Sequence, residues 1–316
     1  MKRRSALALV AGCALTPLVG RSAASAAESP IALTTRTGTI YGTLALPDGP
    51  RPKTVVLIIA GSGPTDRDGN NPLGIKCDAY KLLAAALATN GIASVRYDKR
   101  GIAASAAAAT SESELRFENF VDDAVAWVNM LTFERVVIAG HSEGSLIGMI
   151  AAQKAKVAGY VSLCGAGRPA DQVLHDQFAA QAGPDQLAQI DAWLAQLKAG
   201  KLITPAPTGP LAIVFHASVQ PYLISWFKYD PAVEIAKLRI PMAIVGGTAD
   251  VQVPPSEAKI LKAAAPSAKL VIVDGMAHTL KHVAGTTQAD EIPAYTDPSL
   301  PLDPTVVSTV TALAKP

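Results

Sequence analysis

The sequence predicts an α/β fold. A mostly parallel, doubly wound sheet carries helices on both faces and is interrupted once by a helical insertion. Three observations predict it. Short continuous apolar runs recur along the chain between turn residues, the pattern of strands buried on both faces of a parallel sheet. Stretches with helical apolar spacing alternate with them, which implies crossover connections. The rhythm then fails over 168–236 and resumes afterwards. With 316 residues, 49% hydrophobic and 17% charged, the chain can bury a large core and is too apolar for a disordered protein. Aromatics make up only 5%, so that core is built mainly from Ala, Val, Leu and Ile.

The chain opens with Lys2, Arg3 and Arg4, an apolar stretch from Ala6 to about Leu18, and Ala24-Ser25-Ala26. Basic flank, apolar run and A-x-A site in that order predict an export signal over 1–27, rather than a buried helix, and a periplasmic or extracellular mature protein. Val10-Ala11-Gly12-Cys13 offers an alternative, a lipoprotein anchored through Cys13, and Arg3-Arg4 is a partial twin-arginine signal. No later segment supplies about 20 uninterrupted apolar residues, so no membrane span is expected. The signal holds four of the 28 basic residues, and its removal leaves 24 against 26 acidic ones. That balance gives nucleic-acid binding no electrostatic support. Of three cysteines, Cys77 and Cys164 lie beyond the signal without metal-ligand spacing. An oxidising compartment would permit a bridge, but two small buried apolar residues are the expectation.

After the signal, 31–46 alternates loosely and predicts a hairpin, and 55–59 a buried strand ending before Gly61. A helix is expected over 79–87 with Asn90-Gly91 closing it, then a strand at 93–97. Helix 117–131, strand 135–139, helix 146–155 and strand 157–163 continue the series. Residues 171–201 read as strongly helical, followed by Pro205, Pro207 and Pro210 and the aromatic group Tyr222, Trp226, Phe227 and Tyr229. Strand 242–245, helix 256–264, strand 270–273 and helix 304–313 complete the chain. The core is therefore expected over 28–167 and 237–316, with 168–236 inserted as a helical lid.

Gly140-His141-Ser142-Glu143-Gly144 lies where a strand ends and a helix begins. That context is what gives a G-x-S-x-G motif meaning: a serine on a sharp turn needs neighbours without Cβ atoms, and the helix N-terminus favours developing negative charge. A serine hydroxyl needs a base. Among five histidines, His141 sits inside the turn, and His175 and His216 lie in the insertion. His278 follows a strand end and so falls on the same sheet edge as Ser142, with His282 as the fallback. Asp250, after the strand at 242–245, is the expected carboxylate, and Asp274 reads instead as a turn residue. The order Ser, Asp, His fits this strand–turn–helix context. The oxyanion donors expected are the amides of Glu143 and Ser62, the latter in Ala60-Gly61-Ser62-Gly63-Pro64. No Gly-Lys-Ser/Thr follows that loop, which excludes a phosphate cradle.

The sequence resembles the α/β-hydrolase superfamily, and within it a group of serine esterases with a loop of the type Gly61-Ser62-Gly63-Pro64-Thr65-Asp66-Arg67-Asp68 and a turn like Arg96-Tyr97-Asp98-Lys99-Arg100-Gly101. The resemblance covers about 31–316 apart from the lid. It implies carboxylester hydrolysis by Ser142, Asp250 and His278, without metal or organic cofactor and with a small-molecule ester as substrate. Asp66, Arg67 and Asp68 are expected to brace the loop through ion pairs. Trp193, Tyr222, Trp226 and Phe227 either line a substrate pocket or fix the lid to the core. Two other readings stay open. A serine peptidase for short peptides would hold an amino terminus with Asp171, Asp176, Asp185 or Asp191. An inactive binding protein would use the same scaffold without turnover.

Overall fold

A computed structural model describes residues 27–109 and 111–315. Apart from Ala27, the expected export signal lies outside them, as does Cys13. An apolar run such as Thr54–Ile59, buried along its whole length, can only sit in the middle of a covered sheet. It does so as β3. Among the described residues the sheet has eight strands in the order β1-β2-β4-β3-β5-β6-β7-β8. They are β1 (Ala27–Thr35), β2 (Gly38–Leu46), β3, β4 (Ala93–Tyr97), β5 (Arg135–His141), β6 (Gly159–Leu163), β7 (Met242–Gly247) and β8 (Lys269–Val273). The hairpin β1–β2 is antiparallel, β2 pairs antiparallel with β4, and every other pairing is parallel.

The helices are α1 (Ala79–Thr89), α2 (Phe117–Met130), α3 (Glu143–Lys154), α4 (Ala170–Ala179), α5 (Pro184–Lys198), α6 (Ala212–Phe215), α7 (Gln220–Trp226), α8 (Pro231–Ile235), α9 (Pro255–Ala264), α10 (Gln288–Thr296) and α11 (Pro304–Ala314). Alternate residues of β3 serve opposite faces. Val55, Leu57 and Ile59 pack with Trp127 of α2, Ile147 of α3 and Leu261 of α9. Val56 and Ile58 pack with Leu83 and Leu87 of α1 and Val306 and Val310 of α11. Each fully buried Leu, Ile or Val contributes about 1.5–3 kcal/mol, so the two layers together drive folding.

Local details add to the sequence reading or differ from it. The helical stretch 171–201 is two helices, because Gly183-Pro184 ends one and starts the other with proline in the first turn. The Ala-rich 103–108 is a 3-10 helix carrying buried Ser105 and Ala108. Helix α10 was not expected at all: Pro293 stands inside it and its apolar pattern is weak. Between β6 and β7, α4, α5 and α7 build an apolar cluster of their own around Ile190, Leu194, Phe215 and Phe227. Cys77 and Cys164 are both buried and free, as two apolar cysteines rather than a bridge.

Strands β4 and β5 flank β3 on opposite sides, so the loops leaving β3 and β5 diverge at a topological switch point. Open α/β sheets place their ligands in that crevice, beyond the carboxyl ends of the strands.

Candidate active site

Backbone strain is concentrated at Ser142, which has φ 54° and ψ −122° between the end of β5 and the first residue of α3. Such a conformation costs on the order of 1–3 kcal/mol in a non-glycine residue. Close approach dictates its neighbours. A Cβ on Gly140 would stand 2.2 Å from the Gly144 carbonyl oxygen, and one on Gly144 would stand 2.3 Å from that of Ile59. The Ser142 amide donates to the Leu163 carbonyl at 2.9 Å. Beneath the turn, the Ser145 hydroxyl meets those of Tyr160 at 2.7 Å and Ser162 at 2.8 Å. The Ser142 side chain is half-buried, and its hydroxyl has no hydrogen-bond partner among the described residues.

His278 and Asp250 meet at the neighbouring strand ends. The Nδ1 of His278 lies 2.8 Å from Oδ2 of Asp250, with both side chains buried. Oδ1 of Asp250 accepts the amides of Gln252 at 3.0 Å and Val253 at 2.8 Å, so the carboxylate cannot rotate. Burial pushes the His278 pKa down, but the charge and hydrogen bond of Asp250, with the charge of Glu291, outweigh it and raise the pKa above its ordinary 6.5. Asp274, the alternative carboxylate, accepts instead from the Thr248 hydroxyl at 2.9 Å. His282 belongs to the loop, bridging to Met276. His175 pairs with Asp191 and His216 with Ser218, both in the inserted segment.

His141 is engaged by neighbours other than Ser142 and ties two loops of the site together. Its Nε2 lies 2.8 Å from the His278 carbonyl and its Nδ1 lies 2.8 Å from the Tyr80 hydroxyl. Burial, then the neighbouring His278, lowers its pKa to about 3, so the ring is neutral. A neutral ring facing a carbonyl must donate from Nε2 and accept at Nδ1, which assigns the tautomer. The Tyr80 hydroxyl therefore donates to His141, and it accepts the Gly61 amide at 3.1 Å. One continuous chain of hydrogen bonds joins the loop after β3 to the loop after β8.

Three residues absent from the sequence expectations take part. Tyr80 is one. Glu291 of α10 is buried and accepts the amides of Val251 at 3.1 Å and His278 at 3.4 Å, gripping both loops; burial is the first cause of its raised pKa. Lys99 is the third, with its ammonium 2.6 Å from the Gly61 carbonyl and 2.6 Å from a Glu143 carboxylate oxygen. Of these, only Lys99 lay in a motif singled out from sequence.

Ion pairs brace the loop after β3 at Arg67 and Asp68, but Asp66, expected to do the same, makes none among the described residues and accepts backbone amides instead. Arg67 binds Asp98 at 2.6 Å and Asp68 binds Arg96 at 2.7 Å. Asp66 accepts the amides of Asp68 and Asn70, each at 2.9 Å. Ser62 is exposed, and its carbonyl accepts the Thr65 hydroxyl at 2.9 Å. A Cβ on Gly61 would lie 3.1 Å from the Ser142 Cβ, so this loop faces the Ser142 turn directly.

A cavity of about 520 Å³ opens over Ser142, Ser62 and Glu143, walled by apolar groups such as Leu115, Phe120, Leu146 and Val173. Tyr222 and Trp226 line it. Trp193 and Phe227 do not, which corrects their assignment to the pocket. Phe227 is 1% exposed inside the cluster of the inserted helices, and Trp193 packs on Phe215 with ring centroids 5.6 Å apart. A second cavity of about 600 Å³ lies between α4 and α5 and holds Asp171, Asp176 and Asp191. Asp171 pairs with Lys198 and Asp176 with Arg168, and Asp191 lies 2.6 Å from the His175 Nδ1.

The nearest approach to a metal-ligand set among the described residues is His141, Cys164 and His278, whose donor atoms lie within 4.8 Å of one another. Both His141 nitrogens and the His278 Nδ1 are already engaged. Burial, then the charge of Asp250, holds the Cys164 thiol well above its ordinary pKa and therefore protonated. This donor set does not suit a cation.

The sequence profile of the Alpha/beta hydrolase family matches residues 55–291, from β3 through α10. The chain belongs to that family. It is 27% identical over 249 residues to Esterase EstD of Thermotoga maritima, covering 76% of this chain and 57% of the relative, so it spans little more than half of that protein's length. Among solved structures, the esterase domain of a Rhodothermus marinus protein superposes with TM-score 0.56 at 18% identity, covering 91% of this chain and 98% of the other. The proline iminopeptidase of Mycobacterium smegmatis superposes with TM-score 0.58 at 15% identity, covering 90% and 97%. Both carry the family's fold, and fold does not define substrate.

Proposed function

We propose that this α/β hydrolase cleaves carboxylic esters through an acyl-enzyme on Ser142. The observation that carries the reading is the buried Asp250–His278 hydrogen bond at 2.8 Å, set beside the strained Ser142 turn. Asp250 engages Nδ1, so Nε2 is the nitrogen available to take a proton. The hydroxyl of Ser142 makes no hydrogen bond to His278 in this structure; such contacts commonly tighten only when substrate is present. In the proposed reaction His278 accepts the Ser142 proton as the oxygen attacks the acyl carbon. It returns the proton to the departing alkoxide, and water then repeats the sequence to release the acid. The amides of Glu143 and Ser62 would hold the oxyanion, a role worth about 3 kcal/mol per donor.

The ester reading is supported by the places of the four aspartates that a peptidase was expected to use, while Glu112, which lines the cavity, accepts the Ser218 hydroxyl. Asp171, Asp176 and Asp191 are paired outside the cavity over Ser142, and Asp185 is exposed in the first turn of α5. None is placed to hold a peptide amino terminus. The apolar walls suit an uncharged acyl or alcohol group, with residues 168–236 acting as lid. The sequence of basic, apolar and small residues over 1–27 supports export of the mature chain, and Cys13 the alternative of a lipid anchor.

The test compares p-nitrophenyl acetate and butyrate with amino-acid p-nitroanilides. Ester turnover should exceed anilide turnover, and Ser142→Ala should lower kcat by more than about 10³-fold while thermal unfolding is unchanged. Faster anilide turnover reverses the substrate assignment. Retained ester turnover in Ser142→Ala removes Ser142 as nucleophile.

A further inference from the structure

We propose that Lys99 is a positioning residue that polarises the Ser62 amide as an oxyanion donor. This inference rests on the acyl-enzyme reading above and deepens it. Lys99 lies two residues beyond the end of β4 and is 2% exposed. Its ammonium donates to the Gly61 carbonyl at 2.6 Å and to the Glu143 carboxylate at 2.6 Å, and stands 4.9 Å from the centre of the Phe120 ring. Two donor positions and a ring face account for its three protons.

The chemistry follows from which carbonyl is held. The oxygen of Gly61 and the amide hydrogen of Ser62 belong to one peptide plane. That peptide is trans, so the two point in opposite directions. A cation donating to the oxygen draws electron density through the conjugated C–N bond, leaving the Ser62 N–H a stronger donor on the other side. The same contact, with the Tyr80 hydroxyl on the Gly61 amide at 3.1 Å, fixes the plane's rotation. Ser62 thus presents its N–H with its carbonyl neighbour already bound to positive charge.

Stability does not explain the arrangement. Both side chains of the Lys99–Glu143 pair are 2% exposed. Burying an ion pair costs desolvation that attraction rarely exceeds, and apolar residues of the same volume commonly serve folding as well or better. Glu143 also accepts the Tyr222 hydroxyl, so its carboxylate is held between the sheet edge and α7. The ion pair lies under both proposed oxyanion donors, since the other is the Glu143 amide itself.

The test uses the full chain with Glu143→Gln as background, which keeps the backbone amide and an acceptor for Tyr222 while removing the counter-ion. Lys99→Gln leaves a neutral donor near the Gly61 carbonyl, and Lys99→Met leaves none. With p-nitrophenyl butyrate, kcat should fall by a few-fold in the Gln form and about tenfold or more in the Met form, less than the 10²–10³ seen when a donor is deleted. KM should stay within about twofold, because the interaction strengthens only in the transition state. Affinity for an alkylboronic acid, which forms a tetrahedral adduct, should fall in step with kcat/KM.

A kcat in the Gln form equal to that of the Glu143→Gln background, or a rise in KM at constant kcat, overturns the role, and the Gln form decides alone if the Met form does not fold. The underlying reading is checked separately by fluorophosphonate labelling of Ser142 in the wild type. No labelling means that the acyl-enzyme reading has failed. Labelling of wild type and variants at equal rates means that only the role of Lys99 has failed.

Discussion

At Asp250 the two carboxylate oxygens divide their tasks. One is saturated by the amides of Gln252 and Val253 and the other meets His278. The histidine must be neutral to accept a proton, and its pKa is raised above 6.5. Activity should therefore rise with pH through a value above about 6.5. Asp250→Asn should lower kcat by up to about 10⁴-fold and shift the remaining rise toward lower pH, because the charge favouring the imidazolium is gone. A kcat/KM profile whose midpoint is unmoved in the variant would take Asp250 out of this role. Ser142, Asp250 and His278 could each be proposed from sequence because each follows a strand end in a parallel sheet, and the structure joins the last two. Tyr80, in the second position of α1, could not. Nothing in Ala79-Tyr80-Lys81 marks a hydroxyl that reaches across to His141.

At the scale of elements, α10 shows what periodicity misses. Its Pro293 and weak apolar pattern hide it, yet its Glu291 ties the Asp250 loop to the His278 loop. Glu291→Ala should leave the buried His278 amide without an acceptor, costing about 1–3 kcal/mol, free the part-buried Val251 amide, and lower kcat more than it raises KM. Glu291→Gln, which keeps an acceptor oxygen, should recover most of the stability. Equal unfolding midpoints in denaturant for the wild type and Glu291→Ala would contradict this. The inserted helices are fastened at both ends by similar means. Buried Glu257 of α9 accepts the amides of Gly167 and Arg168, and Gln153 of α3 binds Glu234 of α8 at 2.9 Å. The aromatic residues of the insertion left pocket lining and lid packing both open, and sequence could not separate Tyr222 and Trp226, which line the cavity, from Trp193 and Phe227, which pack among the inserted helices.

For the molecule as a whole, two buried histidines make opposite contributions to acid stability. His141 has its folded pKa lowered to about 3. It binds fewer protons folded than unfolded, so stability is lost as pH falls from about 6.5 toward 3, by ~1.4 kcal/mol per pH unit at most. His278 has a raised pKa, so its contribution is present below about 6.5 and is lost as pH rises through the folded value. His141→Gln should therefore flatten the fall in Tm between about pH 6.5 and 4; parallel Tm curves for variant and wild type would show that His141 does not titrate on unfolding. The sheet was legible in the amino-acid pattern, because strand and helix periodicities are local and a buried parallel strand has few other readings. So was the serine turn, because close backbone approach leaves glycine no substitute at 140 and 144. The hydrogen-bonded chain from Gly61 through Tyr80 and His141 to His278, and the seating of Lys99 on the Gly61 carbonyl, emerged only from the folded structure. Those contacts join residues 19 to 137 positions apart, and a hydrogen bond depends on where two atoms end up in space, which no local pattern records.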